Sequence, residues 1–202
     1  ILDEYVRYVG DEVALVGAVN EKAARQALRM IKVDYEVLKP VLDYKTAIDN
    51  ESVVHMEKDY INARFCNTAP ERNILTYGEE SNGDVEAEFA SDLIVEETYE
   101  IQAQEQSMME TFRTYTYLDH NDRLVCVTST QVPFHVRRQL SRALGIPQTR
   151  IRVVKPRIGG GFGAKQTVVS EFYPAVVTLK TGRAAKMIYS RQETFACSNS
   201  RH

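Results

Sequence analysis

Apolar residues fall into two kinds of pattern along this chain, short β-rich runs and stretches spaced at three and four residues, and their alternation predicts a mixed architecture. Residues 12–19, EVALVGAV, read as a strand, and Asn20 then offers a side-chain acceptor for the first turn of a helix. That helix is predicted over 21–31, where Ala24, Ala27, Leu28 and Ile31 share one face for a sheet to cover. KVDYEVL at 32–38 reads as the next strand, ended by Pro40. From about Asp43 to Asp92 the periodicity fades, and Asn, Gly, Pro and Glu gather in NTAPERN and GEESNGD, a composition suited to a long surface linker.

Strand patterns resume at 93–101 (LIVEETYEI) and 110–118 (ETFRTYTYL), where Phe112, Tyr115 and Tyr117 alternate with Thr and Arg as in a half-covered sheet. DHND at 119–122 has the side chains of a tight turn, and RLVCVTST at 123–130 is the returning strand. A helix is predicted over 134–144, closed by Gly145, which tolerates a left-handed backbone, and by Pro147. IRVVK at 151–155 is a strand that leads into Gly159–Gln166, GGGFGAKQ. Residues 167–180 have helical spacing, with Val169, Phe172, Tyr173, Val176 and Leu179 on one face and Pro174 placed to kink it. AAKMIYS at 184–190 is the last strand, and no internal repeat is present.

Composition narrows the function classes. With 202 residues and 44% hydrophobic content the chain has the makings of one or two globular domains, and a net charge of −3 with dispersed basic residues gives no nucleic-acid signature. Cys66, Cys126 and Cys197 lie far apart, so thiolate metal sites are not expected and each reads as a small apolar residue in a reducing, cytoplasmic setting. No apolar stretch is long enough to span a bilayer as a helix, and no membrane partner is expected. The chain opens at Ile1 directly before its first elements, which suggests a longer natural polypeptide.

The glycine run is the strongest chemical signal. Four glycines in five positions, 159 to 163, free the backbone to take positive φ and to approach a ligand, and exposed N–H groups there can donate to oxo or phosphate oxygens. A ligand-free turn is the plainer account of an isolated glycine pair, and four glycines favour the ligand. A P-loop is excluded, because Ala164 separates Gly163 from Lys165 and Gln166 lacks the magnesium-binding hydroxyl. A dinucleotide fingerprint would want glycine at 164 and an acid about twenty positions on, where AAKMIYS stands, so a nucleotide-binding domain is only a weak alternative.

Taken whole, Ser129 to Gln166, STQVPFHVRRQLSRALGIPQTRIRVVKPRIGGGFGAKQ, resembles the opening of the molybdenum-binding region of xanthine dehydrogenases and aldehyde oxidases, and the likeness continues through TGR, SRQE and Arg201-His202. VRYVGDEVALVGA, the helix after it and VDYEVL resemble the end of the hammerhead domain that precedes that region. The resemblance implies an α+β fold: residues 1–45 closing an α/β hammerhead domain, 46–92 an extended linker, and 93–202 the N-terminal part of the molybdopterin-binding domain. It implies the molybdopterin cofactor, held by protein contacts to atoms around the metal with no direct side-chain metal ligand. The remainder of the molybdenum subunit and iron–sulfur and FAD subunits are the implied partners. Hydroxylation of an N-heterocycle such as hypoxanthine, or of an aldehyde, with oxygen from water is the implied reaction. A non-catalytic module of the same fold is the alternative.

Residue by residue, Gln104 matches the glutamine that hydrogen-bonds a molybdenum oxo group, with Gln106 as a competing choice and an ordinary exposed strand residue as the plain account. Gly160, Gly161, Phe162 and Gly163 match the loop whose amides meet the cofactor; the Phe162 ring shapes the pocket or plugs the core beneath the turn. Gln166 stands where purine-hydroxylating members carry a substrate-contacting glutamate, so hydrogen bonding is kept and a charge is lost. The family's catalytic glutamate belongs to a segment beyond His202, and Glu110, Glu171 and Glu193 read as structural or surface carboxylates.

Overall fold

Asp119 turns the chain back on itself: its Oδ1 accepts from the N–H groups of Asn121 (2.9 Å) and Arg123 (3.0 Å), and Asp122 takes φ 54°. In the computed structural model, which describes residues 2–56, 67–90 and 93–200, this turn joins β1 (Arg113–Leu118) to β2 (Leu124–Thr128) in an antiparallel pair. The expected positions Cys66 and Arg201-His202 lie outside the described residues. Two compact units are present, one of residues 1–31 with 100–202 and one of 32–99.

In the first unit the sheet order is β3-β2-β1-β4. Helix α3 (Pro133–Leu144) carries the chain from β2 to the parallel strand β3 (Ile151–Val154), ending at Gly145 with φ 66°. Helix α4 (Phe172–Thr181) precedes β4 (Ala185–Ile188), which pairs antiparallel with β1. Val136 and Leu140 of α3 and Ala175 of α4 meet Leu124, Cys126 and Ile151 of the sheet in one core cluster. A second cluster of Met108, Phe112, Ala164 and Tyr189 lies where the glycine loop ends. α1 (Glu21–Leu28) is capped by the Asn20 side chain as expected, and Ser190 and Glu193 form a capping box for a short helix, Arg191–Ala196, that the sequence pattern did not predict.

Several expectations are corrected. EVALVGAV at 12–19, KVDYEVL at 32–38 and LIVEETYEI at 93–101 form no ladder among the described residues. A β-rich run becomes a strand only when a neighbour takes its backbone hydrogen bonds, and that neighbour is not encoded in the run itself. In β1 the buried face belongs to Thr114 and Thr116, because their hydroxyls find buried partners in Thr128 (3.0 Å), Ser170 (2.8 Å) and Thr178 (2.7 Å). Tyr115 is exposed, its ring lying 5.6 Å from that of Tyr117. The predicted helix over 167–180 begins only at Phe172, and Pro174 sits in its first turn, where no kink results.

The second unit is built from turns. Asn73, at φ 59°, donates its amide to the carbonyls of Ala47 (2.9 Å) and Ser52 (2.8 Å), and Arg72 meets Asp49 through two bonds of 2.6 and 2.8 Å. Its one α-helix among the described residues is α2 (Val85–Glu88), capped by Asp84, beside 3-10 turns at Tyr44–Thr46 and Pro70–Arg72.

Candidate cofactor site

The glycine loop leaves β3 and is held at its two ends. At the first, Glu110 N–H donates to the Gly159 carbonyl (3.0 Å) while Gly159 N–H donates to Glu110 Oε2 (2.8 Å). At the second, Gly163 N–H donates to Gln131 Oε1 (3.3 Å), and Gln131 N–H donates to the Lys165 carbonyl (2.9 Å). Between these anchors the N–H groups of Gly160, Gly161 and Phe162 donate to no other described residue. Gly160 and Gly163 take φ of 93° and 95°, and Phe162 takes 50°. Three successive N–H groups thus remain as donors at the loop centre, with Phe162 exposed, Gly160 half-buried and Gly161 buried.

Space around the loop explains the glycines. A Cβ on Gly159 would stand 2.7 Å from Glu110 Cβ, and one on Gly161 would stand 2.5 Å from Gln131 Oε1. One on Gly160 would reach Phe162 Cε2 at 3.0 Å and Met108 Cβ at 3.2 Å. The Phe162 ring is 70% exposed, so it does not plug the core beneath the turn. The loop runs into a single 3-10 turn, Ala164–Gln166, so no α-helix starts where it ends and the donors available are the amides of the loop itself.

Behind the loop sits an ion pair whose cationic end is fully buried and whose carboxylate is half-buried. Lys165 has no side-chain exposure, and its ammonium donates to Glu110 Oε2 (3.0 Å), the Glu110 carbonyl (3.0 Å) and Ser129 Oγ (2.7 Å). Ser129 in turn donates to Glu110 Oε2 at 2.6 Å. Burial pushes the Glu110 carboxyl up, but the bonds from Ser129, Gly159 N–H and Lys165 outweigh it and hold the group at about 2. Lys165 therefore cannot serve a phosphate, which removes the last P-loop feature. Arg191 donates to the carbonyls of Met108 (2.7 Å) and Met109 (2.9 Å), fixing the stretch between Gln106 and Glu110 from the other side.

Of the residues singled out in the sequence, Gly160 to Gly163 form one loop, and Gln104 and Gln166 are both exposed. Gln106 is half-buried with its Oε1 buried and unpartnered among the described residues. Gln131, Lys165 and the loop-holding role of Glu110 were missed; the adjacency of Lys165 to the loop and the Ser129-Thr130-Gln131 run were the available signals. Glu171 is buried, with Thr128 Oγ1 (2.9 Å) and Val169 N–H (2.8 Å) donating to it, and Glu193 closes its capping box, so both are structural as expected.

Comparison with known proteins identifies the family and the fold. Against solved structures, the chain matches the aldehyde oxidoreductase of Desulfovibrio desulfuricans ATCC 27774 with a TM-score of 0.80 at 23% identity, covering 99% of this chain and 21% of that one, which shows a shared fold. It is 38% identical over 222 residues to the probable hypoxanthine oxidase XdhD of Escherichia coli (strain K12), covering 98% of this chain and 23% of the relative. It is 31% identical over 204 residues to the putative xanthine dehydrogenase molybdenum-binding subunit XdhA of the same strain, covering 100% of this chain and 25% of the relative. The chain thus spans about a quarter of the length of these relatives. Residues 66–202 match the model of the molybdopterin cofactor-binding domain, and the chain belongs to that family.

Proposed function

We propose that this chain is part of a molybdenum hydroxylase of the xanthine dehydrogenase type and forms one wall of its cofactor site. The observation that carries the reading is the run of three N–H groups at Gly160, Gly161 and Phe162 that donate to no other described residue, beside the exposed Phe162 ring. The residues fit the cofactor: backbone amides as neutral donors, no acidic side chain among Gly159–Gln166, and no cluster of His, Cys, Asp or Glu able to hold a metal among the described residues suit a pterin-held molybdenum contacted through its outer atoms. When bound, molybdopterin supplies the two-electron redox chemistry for hydroxylating an N-heterocycle or aldehyde with oxygen from water. Partner iron–sulfur and FAD subunits would take the electrons.

The chain's own part is to bind and orient. The loop amides of Gly160 to Phe162 donate to acceptor atoms of the cofactor, and the Gln104 amide offers a further neutral donor. The exposed Phe162 ring borders the space that a flat substrate would enter, and exposed Gln166 can donate to or accept from its polar edge. Residues 1–45 are proposed as the end of a hammerhead domain, 46–92 as a linker, and 93–202 as the opening of the molybdopterin-binding domain, while the catalytic base is supplied by the rest of the polypeptide. Relatives named for hypoxanthine, xanthine, nicotinate and aldehyde substrates support the reaction class.

The test is reconstitution of the full-length polypeptide with its partner subunits, followed by metal analysis, pterin fluorescence and turnover of hypoxanthine in isotopically labelled water. Equimolar molybdenum and pterin, and label in the product, are expected. A folded complex that contains neither molybdenum nor pterin overturns the proposal.

A further inference from the structure

We propose that Lys165, acting through Glu110 and Ser129, is a positioning residue for the cofactor: it fixes where the free amides of Gly160 to Phe162 stand relative to the segment that carries Gln104. This rests on the function proposed above. Three stretches remote in sequence meet at the Lys165 ammonium, namely the 108–112 segment, the turn after β2 at 129–131 and the glycine loop. All three of its N–H donors are engaged within the protein, at 2.7 to 3.0 Å, so none remains for a substrate or a phosphate. The Lys165 backbone works in the same direction, since its carbonyl accepts from Gln131 N–H (2.9 Å) and Thr130 Oγ1 (3.3 Å).

The choice of residue types is informative. A fully buried ammonium is a poor way to fill space, because its desolvation cancels much of the attraction within the ion pair, and an apolar side chain of similar size would pack at least as well. Apolar packing is already supplied next door by Met108, Phe112, Ala164 and Tyr189. What the ion pair adds is direction. Glu110 Oε2 is shared among Lys165 Nζ, Ser129 Oγ and Gly159 N–H, so a slip of the loop against the 108–112 segment breaks charge-assisted bonds that an apolar contact would let slide. The free amides are thereby held in place before any ligand arrives, which is how a supporting contact strengthens a site without touching it.

The test uses the full-length holoenzyme and separates stability from cofactor retention. Lys165→Met strands the Glu110 charge and is expected to lower both. Lys165→Met combined with Glu110→Gln removes the stranded charge and keeps an acceptor for Gly159 N–H; its Tm is expected to return close to the wild-type value, while pterin and molybdenum are still released roughly 10- to 100-fold faster. Ser129→Ala, which keeps both charges and removes one lysine acceptor and one carboxylate donor, is expected to keep a near-wild-type Tm and to speed release to a smaller degree. Release that follows Tm in every variant, or wild-type retention in the double or the Ser129→Ala variant, overturns the inference. A wild-type holoenzyme preparation without molybdenum or pterin instead overturns the function on which it rests.

Discussion

Replacing Gly159 by Ala tests the anchoring of the glycine loop in a way that the other glycines do not. The new Cβ would stand 2.7 Å from Glu110 Cβ, 3.6 Å from its N and 3.7 Å from its Cα, so the obstacle is rooted in backbone and cannot swing away. Relief requires the loop and the 110 segment to part, and two bonds go with it: Glu110 N–H to the Gly159 carbonyl (3.0 Å) and the charge-assisted Gly159 N–H to Glu110 Oε2 (2.8 Å). At about 1 kcal/mol for the neutral bond and 1.5–3 kcal/mol for the charged one, the loss is roughly 2.5–4 kcal/mol. Gly163→Ala is the control. Its Cβ meets nothing within 4 Å, and the cost is that of a left-handed backbone at φ 95°, about 1–2 kcal/mol. Hydrogen exchange at the Glu110 amide reads the difference as a local opening equilibrium. Gly159→Ala is expected to exchange that amide roughly 100-fold faster than wild type, and Gly163→Ala no more than about 30-fold faster. If the two variants exchange it alike, the close approach of Gly159 to Glu110 is not what holds the loop.

Burial raises the Glu171 carboxyl above its ordinary value of 4.5, against the bonds from Val169 N–H and Thr128, so the folded state holds its proton more tightly than the unfolded chain. Its contribution to stability is full below the unfolded value and is lost as pH rises through the folded one; Glu171→Gln should therefore flatten the fall of Tm with rising pH across this range, and an unchanged slope in calorimetry counts against the assignment. Ser190→Ala removes half of a capping box and should cost about 1 kcal/mol, seen as roughly fivefold faster exchange at the Thr194 and Cys197 amides, with unchanged exchange refuting the cap. Gln166→Glu restores a charged acceptor at the exposed end of the loop. In the reconstituted enzyme it should shift kcat/KM among heterocycles by roughly 2- to 30-fold toward those that present N–H donors, the difference between neutral and charge-assisted bonds, and no shift removes Gln166 from the substrate edge.

What the sequence made legible was local. Asp119 and its followers announce the β1–β2 turn, Gly145 announces the end of α3, and the glycine run announces a free backbone, because each depends on residues a few positions apart. Ser190 and Glu193 also spell a capping box, and the helix at Arg191–Ala196 was there to be read. The three apolar runs at 12–19, 32–38 and 93–101 were misread because a strand is a property of two segments, and pattern within one says nothing of the other. Lys165 and Glu110 escaped for the same reason. Fifty-five positions separate them, and each alone looks like a surface charge until the fold buries Lys165 against a half-buried Glu110.

Phe162 draws strain, exposure and hydrogen bonding together at one position. A non-glycine residue at φ 50° carries strain of about 1–2 kcal/mol, and a ring 70% exposed to water gains little burial to offset it. Neither anchor of the loop demands a phenylalanine there, since Glu110 grips Gly159 and Gln131 grips Gly163 through backbone N–H groups on either side. A loop selected only to reverse the chain would carry glycine at 162 and lose the strain. Keeping the ring in a strained, solvent-facing pose, directly over Gly160 and beside three idle amides, makes sense when something flat and rich in acceptors occupies the space it faces. Strain and exposure thus fall on Phe162, at the end of a run of three idle donors from Gly160 to Phe162, while the Lys165–Glu110 pair serves to hold the loop. That division between a held frame and an unsatisfied centre is what the proposed binding loop requires, and a simple turn has no need of either half.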